Sequence, residues 1–226
     1  MWRNTLCLLC KLPLTLSPHG ICSQCIKHMT TLPVCCLRCG LPVPGPKAPC
    51  YHCRILKPKW QTLIAVSDYC EPLKSLIARL KFYQQYQLAR PLARLLLLSW
   101  LKERRQRALI KPELILPVPL HRTRYLKRGF NQTELLAKPL AHWLNCAYSD
   151  DLLTRIKPAL EQKMLNARAR RSNLRSAFHC NQNLAGKHIM LVDDIVTTGS
   201  TINEISYILK QQGAGSIQII CLCRTL

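Results

Sequence analysis

Twelve residues near the C-terminus, 190–201, constrain this chain more than any other stretch. Met190-Leu191-Val192 reads as a buried strand that delivers two acids, Asp193 and Asp194. Ile195-Val196-Thr197-Thr198-Gly199-Ser200-Thr201 then turns into a segment with Ile202, Ile205, Ile208 and Leu209 at helical spacing, stopped by Gly213. A helix start leaves backbone N–H groups without intrahelical partners. With the hydroxyls of Thr197, Thr198, Ser200 and Thr201 beside them, they can surround one phosphate. Gly199 has no side chain to hold the ligand away. Two neighbouring carboxylates just ahead of such a cradle suit the two hydroxyls of a sugar. The plainer alternative is a capped helix after a core strand, with solvated acids. Nucleoside-triphosphate and dinucleotide loops are excluded, because neither Gly-x-x-x-x-Gly-Lys-Ser/Thr nor Gly-x-Gly-x-x-Gly occurs.

The surrounding pattern predicts an α/β domain. Apolar strands are expected at 114–118, halted by Pro117 and Pro119, at 188–192 and at 216–223. Helices are expected at 73–82, at 86–106, from Asn131-Gln132-Thr133-Glu134 onward, which has capping-box form, and at 200–212. Pro139 predicts a kink or an early end in the third of these. Residues 121–129 read as a basic loop and residues 54–60 as a basic linker. Alternating apolar strands and helices imply a parallel sheet covered on both faces, with the loops beginning at Pro119 and Asp193 on its C-terminal edge. Cys221 and Cys223 are expected on one face of the last strand as packing residues.

Cysteine divides the chain. Of 14 cysteines, nine lie in the first 53 residues, and eight of these form C-x-x-C pairs: Cys7/Cys10, Cys22/Cys25, Cys36/Cys39 and Cys50/Cys53. Each pair chelates from a tight turn, so four pairs suit two tetrahedral sites of four thiolates. The first 17 residues lack the form of a secretory signal, so metal ligation in a cytoplasmic protein is expected rather than disulfides. A closed shell of four thiolates favours structural zinc over catalytic zinc, with an iron–sulfur cluster as the other option. Sequential pairing is the simpler arrangement and an interleaved one the alternative. The expected division is a double zinc ribbon over residues 1–57 and an α/β domain over 58–226.

Charge bounds the partners. Lys and Arg number 33 against 11 for Asp and Glu, a net +22, which favours nucleic acid, phosphorylated small molecules or an anionic membrane face. No apolar run approaches the roughly 20 residues of a membrane span. The basic end near Lys102, Arg104, Arg105 and Arg107 suits the dipole at a helix C-terminus as well as it suits a binding patch.

Taken together, the run from Asp193 to Thr201, the four cysteine pairs, Leu80-Lys81-Phe82, Pro117-Val118-Pro119-Leu120-His121, Arg128-Gly129-Phe130-Asn131-Gln132 and the stretch from Arg171 to Phe178 resemble the ComF-type competence family. That family fuses a zinc-ribbon module to a type I phosphoribosyltransferase-like domain. The resemblance implies binding of 5-phosphoribosyl 1-diphosphate (PRPP). Asp193 and Asp194 would hold the ribose hydroxyls, Val196, Thr197, Thr198, Gly199, Ser200 and Thr201 the 5-phosphate, and Val118 and Pro119 the diphosphate with Mg2+. It implies electrostatic help to the leaving group from His121, Arg122, Arg124 and Arg128, and a mobile loop over 155–175 with Gln162 and Lys163 near its tip. It also implies a cytoplasmic role in natural transformation, with single-stranded DNA and other competence proteins as partners. Two functions follow: a phosphoribosyltransferase with an unidentified acceptor, or a nucleic-acid-binding adaptor whose pocket only senses its ligand. A scaffold that docks partners through its ribbons is a third.

Overall fold

A computed structural model describes residues 6–16, 19–30, 32–45, 50–156 and 177–225. Gln162, Lys163 and the rest of the expected mobile loop beyond Ile156 lie outside these residues, as do Arg171 to Ser176 of the quoted stretch. Two short helices, α1 (Ser23–Met29) and α2 (Tyr51–Leu56), precede β1 (Thr62–Asp68) and α3 (Leu73–Phe82). A 3-10 turn (Tyr86–Leu88) leads into α4 (Ala89–Arg107), β2 (Leu114–Pro117), α5 (Arg122–Arg128), α6 (Gln132–Leu144) and β3 (Ala147–Tyr148). The short strands β4 (Thr154–Arg155) and β5 (Phe178–His179) are followed by β6 (His188–Val196), α7 (Ser200–Gln211) and β7 (Ser216–Arg224). β4 and β5 pair antiparallel.

The main sheet has five strands in the order β1-β7-β6-β2-β3, every pairing parallel. Both faces are covered, as the apolar strands require. On one side α3, α4 and α6 pack over Ile64, Val66, Ile115, Met190, Val192 and Ile220. On the other, α7 packs over Leu116, Ile189, Leu191, Ile217 and Ile219. The largest buried polar pair in this core is matched: Trp100 Nε1 donates to Gln218 Oε1 at 3.0 Å, and Gln218 Nε2 donates to the Ile110 carbonyl at 2.6 Å.

Several expectations are corrected. β1 is an additional edge strand, and Leu63-Ile64-Ala65-Val66 is the apolar run that signals it. Residues 54–60 are no loose linker, because α2 runs into them and Trp60 is buried against the α7 layer. The basic loop is largely helical, forming α5 between an N-cap at His121 and a left-handed Gly129. α6 continues through Pro139 to Leu144. A mid-helix proline costs about 3 kcal/mol. Leu136, Leu140 and Leu144 are buried along this helix, each contributing about 1.5–3 kcal/mol, which offsets the break. β6 runs to Val196 rather than ending at Val192, so the two acids belong to the strand. Cys221 packs in the α7 layer and Cys223 in the opposite one, not on one face. The alternation slips at the ends of both paired strands, since Ile195 and Val196 change layers in the same way while the register holds.

Candidate functional site

Parallel strands bring their C-terminal ends to one edge, and there the chain's unusual loops meet. The Val118 N–H donates to the Val192 carbonyl at 2.9 Å, holding the turn after β2 against β6. The Val118 carbonyl accepts from Asn131 Nδ2 at 3.2 Å and Thr133 Oγ1 at 2.7 Å. Asn131 is also the N-cap of α6, taking the Thr133 N–H at 3.2 Å. One capping residue therefore fixes both the helix and the turn containing buried Val118 and Pro119.

The acid pair is not left to solvent. Asp193 Oδ1 accepts the Asp194 N–H at 2.8 Å, and Asp194 Oδ1 accepts the Ile195 N–H at 2.7 Å. Lys81, at the end of α3, places Nζ 2.5 Å from Asp194 Oδ2, with side chains only 15% and 6% exposed. Burial and the neighbouring Asp194 charge push the Asp193 carboxyl up to about 8, against the opposing pull of the Asp194 N–H and Lys81. Arg128 also feels this charge: burial pulls its guanidinium down and Asp194 pushes it back up. Arg128 bonds Gln132 Oε1 and lies 5.5 Å from the Phe82 ring centroid. Arg122 and Arg124 stand on exposed α5. His121 accepts the Thr123 N–H through Nδ1 at 3.2 Å, which gives its ring a capping duty.

Beyond the acids, Thr197 and Thr198 are exposed, and Gly199 occupies the N-cap of α7 at φ 77°, ψ 3°. Glycine has no side chain to cap the helix, so its first turn stays accessible to an anion. Thr198 Oγ1 and Ser200 Oγ are 2.9 Å apart, and the Ser200 N–H points at Thr198 Oγ1 at 3.3 Å. The hydroxyls thus order one another without closing the turn with a large group. A Cβ on Gly199 would meet Trp60 Cη2 at 3.3 Å. Lys81 is the residue that sequence reasoning left out of the site, although it stands in one of the quoted segments. Its signal was a lysine on the last turn of an amphipathic helix leading to the same sheet edge. A separate cleft of about 500 Å³ lies between the first cysteine cluster and the end of β1, lined by Cys10, Cys25, Ser67 and Asp68 among others. None of residues 193–201 lines it.

The cysteines gather sequentially, as two sets: Cys7, Cys10, Cys22 and Cys25, and Cys36, Cys39, Cys50 and Cys53, each with its ligand atoms within 4.8 Å. The sets repeat one local design. In each, the first cysteine N–H bonds a leucine carbonyl at 2.8 Å (Cys7 to Leu12, Cys36 to Leu41), and a left-handed residue follows the knuckle, Lys11 or Gly40. In each, the second pair sits at the N-cap and third position of a short helix, α1 or α2. Sγ–Sγ distances of 3.8 Å (Cys10–Cys22), 3.8 Å (Cys36–Cys53) and 3.5 Å (Cys39–Cys50) are far above the roughly 2.05 Å of a disulfide. They approach the edge of a tetrahedron with metal–sulfur bonds of about 2.3 Å, so both sets can hold zinc. Burial raises Cys7 and Cys36, but backbone N–H groups outweigh it and bring each to about 6. Burial and sulfur neighbours push Cys25 up to about 12. Burial foremost carries Cys39 to about 12 as well. Four thiolates at these distances would repel one another unless a cation such as zinc lay between them.

Comparison with known proteins agrees with this geometry. Residues 132–226 match the model of the phosphoribosyl transferase domain. DNA utilization protein YhgH of Salmonella typhimurium is 46% identical over 221 residues, 98% of this chain and 97% of that protein. Competence protein F of Haemophilus influenzae is 37% identical over 224 residues, again 98% and 97%. Competence protein ComFC of Streptococcus pneumoniae is 30% identical over 161 residues, 71% of this chain and 67% of that protein. The chain belongs to the ComF-type competence family.

In this ComF-type chain the second cysteine cluster touches the turn around Gly199. Arg224, buried at the end of β7, donates from Nε to the Cys39 carbonyl at 3.0 Å and from Nη1 to the Val196 carbonyl at 3.1 Å. Trp60, beside Gly199, donates to the Arg38 carbonyl at 2.6 Å, while Arg38 donates to the carbonyls of Pro58 at 2.6 Å and Trp60 at 3.2 Å. The knuckle and the turn are therefore one hydrogen-bonded unit.

Three outcomes follow from the site. Metal analysis of the purified chain should give two zinc ions, and Cys39→Ser should lower that to one with a fall in melting temperature. Arg224→Met leaves the Cys39 and Val196 carbonyls short of their donor and should cost about 2–4 kcal/mol in chemical denaturation. Asp193 contributes a pH dependence of definite sign. An unfolded aspartate ionises near about 4, whereas the folded one holds its proton to about 8. Between those values only the folded chain binds the proton, so stability falls as pH rises through the window. Asp193→Asn removes that fall. Its melting temperature should gain on the parent's from pH 4 to pH 8 and run parallel above.

Proposed function

We propose that this chain binds PRPP at the C-terminal edge of its sheet and acts in the cytoplasmic handling of incoming single-stranded DNA during natural transformation. The observation that carries the reading is the acid pair at the end of β6 followed directly by an uncapped, Gly199-centred helix start. Asp193 and Asp194 accept from the ribose hydroxyls. The N–H groups of the first turn of α7, with Thr197, Thr198, Ser200 and Thr201, take the 5-phosphate. The turn at Val118 and Pro119 faces the diphosphate, which brings Mg2+ as its counter-ion, because Mg2+ prefers phosphate oxygens and water to a full protein cage. Lys81 and Arg128 supply the nearby positive charge that stabilises departing diphosphate in a phosphoribosyl transfer. Zinc in the two clusters over residues 1–57 is structural and supports the α/β domain over 58–226. The DNA role rests on the +22 charge and on the family's competence and DNA-utilization members.

A second reading has its own support: the pocket senses PRPP without turning it over. Lys81 already neutralises Asp194, so ligand entry can be read out as an exchange of ion pairs at the end of α3. Titration calorimetry with PRPP and Mg2+ tests both readings. Heat should appear with the parent chain and vanish with Asp193→Asn combined with Asp194→Asn. No heat from the parent would refute the pocket. Diphosphate release on addition of nucleobases or other nitrogen nucleophiles then separates transfer from sensing.

A further inference from the structure

We infer that a single DNA strand lies across the strip formed by the end of α3, the 3-10 turn and α5, stacking its bases on Tyr83, Phe82 and Tyr125 beside the pentose-phosphate pocket. The inference rests on the DNA-handling reading above and gives it a location. Phe82 is 70% exposed, Tyr83 72% and Tyr125 44%, an unusual concentration of aromatic surface in a chain with 6% aromatic residues. The helix α5 buries no residue at all, so folding does not account for Tyr125 or its exposed neighbour Leu126.

The charge of the strip says what covers it. Arg122, Arg124, Lys127 and Arg128 all stand on α5, and no acid occurs between Glu113 and Glu134. Four cations with no carboxylate on their own helix suit a polyanion, and unpaired bases offer free faces to exposed rings. The guanidinium of Arg128, 5.5 Å from the Phe82 ring centroid, joins the aromatic end of α3 to the basic helix. Lys81, the neighbour of Phe82 on α3, pairs with Asp194 at 2.5 Å, which places the aromatic end of α3 beside the acid pair. A neutral protein partner fits the rings and not the cations. An anionic membrane would also take cations and rings, but the chain's similarity to competence and DNA-utilization proteins favours a DNA strand, and vesicles form one arm of the test.

The test is fluorescence anisotropy of a labelled 20-nucleotide oligodeoxythymidine with the full zinc-loaded chain. Binding should weaken about tenfold for Tyr83→Ala and again for Tyr125→Ala, and Tyr83→Phe should bind like the parent because the ring face remains. Lys127→Ala should reduce the slope of log affinity against log salt by about 0.7. A control, Lys102→Ala with Arg105→Ala on the exposed end of α4, should change affinity little. PRPP heat preserved in each variant shows that the fold is intact. If the parent binds DNA and the two alanine variants bind equally well, the strip is wrong while the DNA reading stands. If the parent binds no DNA, both fail. If the same variants lose binding to anionic phosphatidylserine vesicles and not to DNA, the surface belongs to a membrane and the inference is overturned.

Discussion

One buried guanidinium ties the parts of this protein together. Arg224 reaches the carbonyl of Cys39 in the second cluster, the carbonyl of Val196 at the end of β6, and the carbonyl of Thr225. Burial pulls its pKa down, and the Cys221 and Cys39 sulfurs push it up. A guanidinium keeps its charge in such a place because its normal pKa is above about 12. Three carbonyls converging on one cation form a stiff joint, since releasing any of them leaves a buried polar group without its partner. The small cysteine clusters are thereby more than self-contained staples. The second one is tied through Arg224 to the strand that carries the acids, and through Trp60 and Arg38 to the turn that follows.

The legible parts of the sequence were those in which local chemistry and global fold demand the same residues. The strand–turn–helix from Met190 to Thr201 follows from apolar runs, acids and glycine in a fixed order, and β6 and α7 occupy that place. The cysteine sets are sequential because each knuckle and the helix start that follows it lie close along the chain. What escaped sequence reasoning depended on contacts made far along the chain. β1 exists by pairing with β7, with Ile64 opposite Ile220, and a four-residue apolar run beside a basic stretch gives little notice of it. α5 is a loop by composition and becomes a helix through two local devices, the His121 cap and the left-handed Gly129. The kink or early end expected at Pro139 followed from proline's backbone chemistry alone and omitted the leucines buried along α6, which continues to Leu144.

The ion pair at the site is equally a product of tertiary structure. Lys81 and Asp194 are 113 positions apart in sequence, and α3 must pack on the sheet before they meet. Two adjacent carboxyls at a half-dry strand end repel each other, and the structure answers in two ways. Asp194 takes a cation, and Asp193 holds its proton more firmly than a free aspartate. Breaking a buried pair of this kind without replacement costs about 3–5 kcal/mol, so Lys81 does not leave Asp194 for water.

That cost shapes how a ligand enters on the proposed reading. A pentose diol can donate hydrogen bonds to Asp194, but it brings no positive charge to replace Lys81. The phosphates that accompany the diol bring negative charge instead, and they attract Lys81 and Arg128. Sugar and phosphate therefore have complementary effects: the hydroxyls satisfy the acids while the phosphates draw the cations away from them. A ribose without phosphate, or a phosphate without ribose, achieves half of this exchange and leaves either the carboxyls or the lysine unmatched. Selection for a phosphorylated pentose then arises from the starting ion pair, even before the turn at Gly199 contributes its N–H groups.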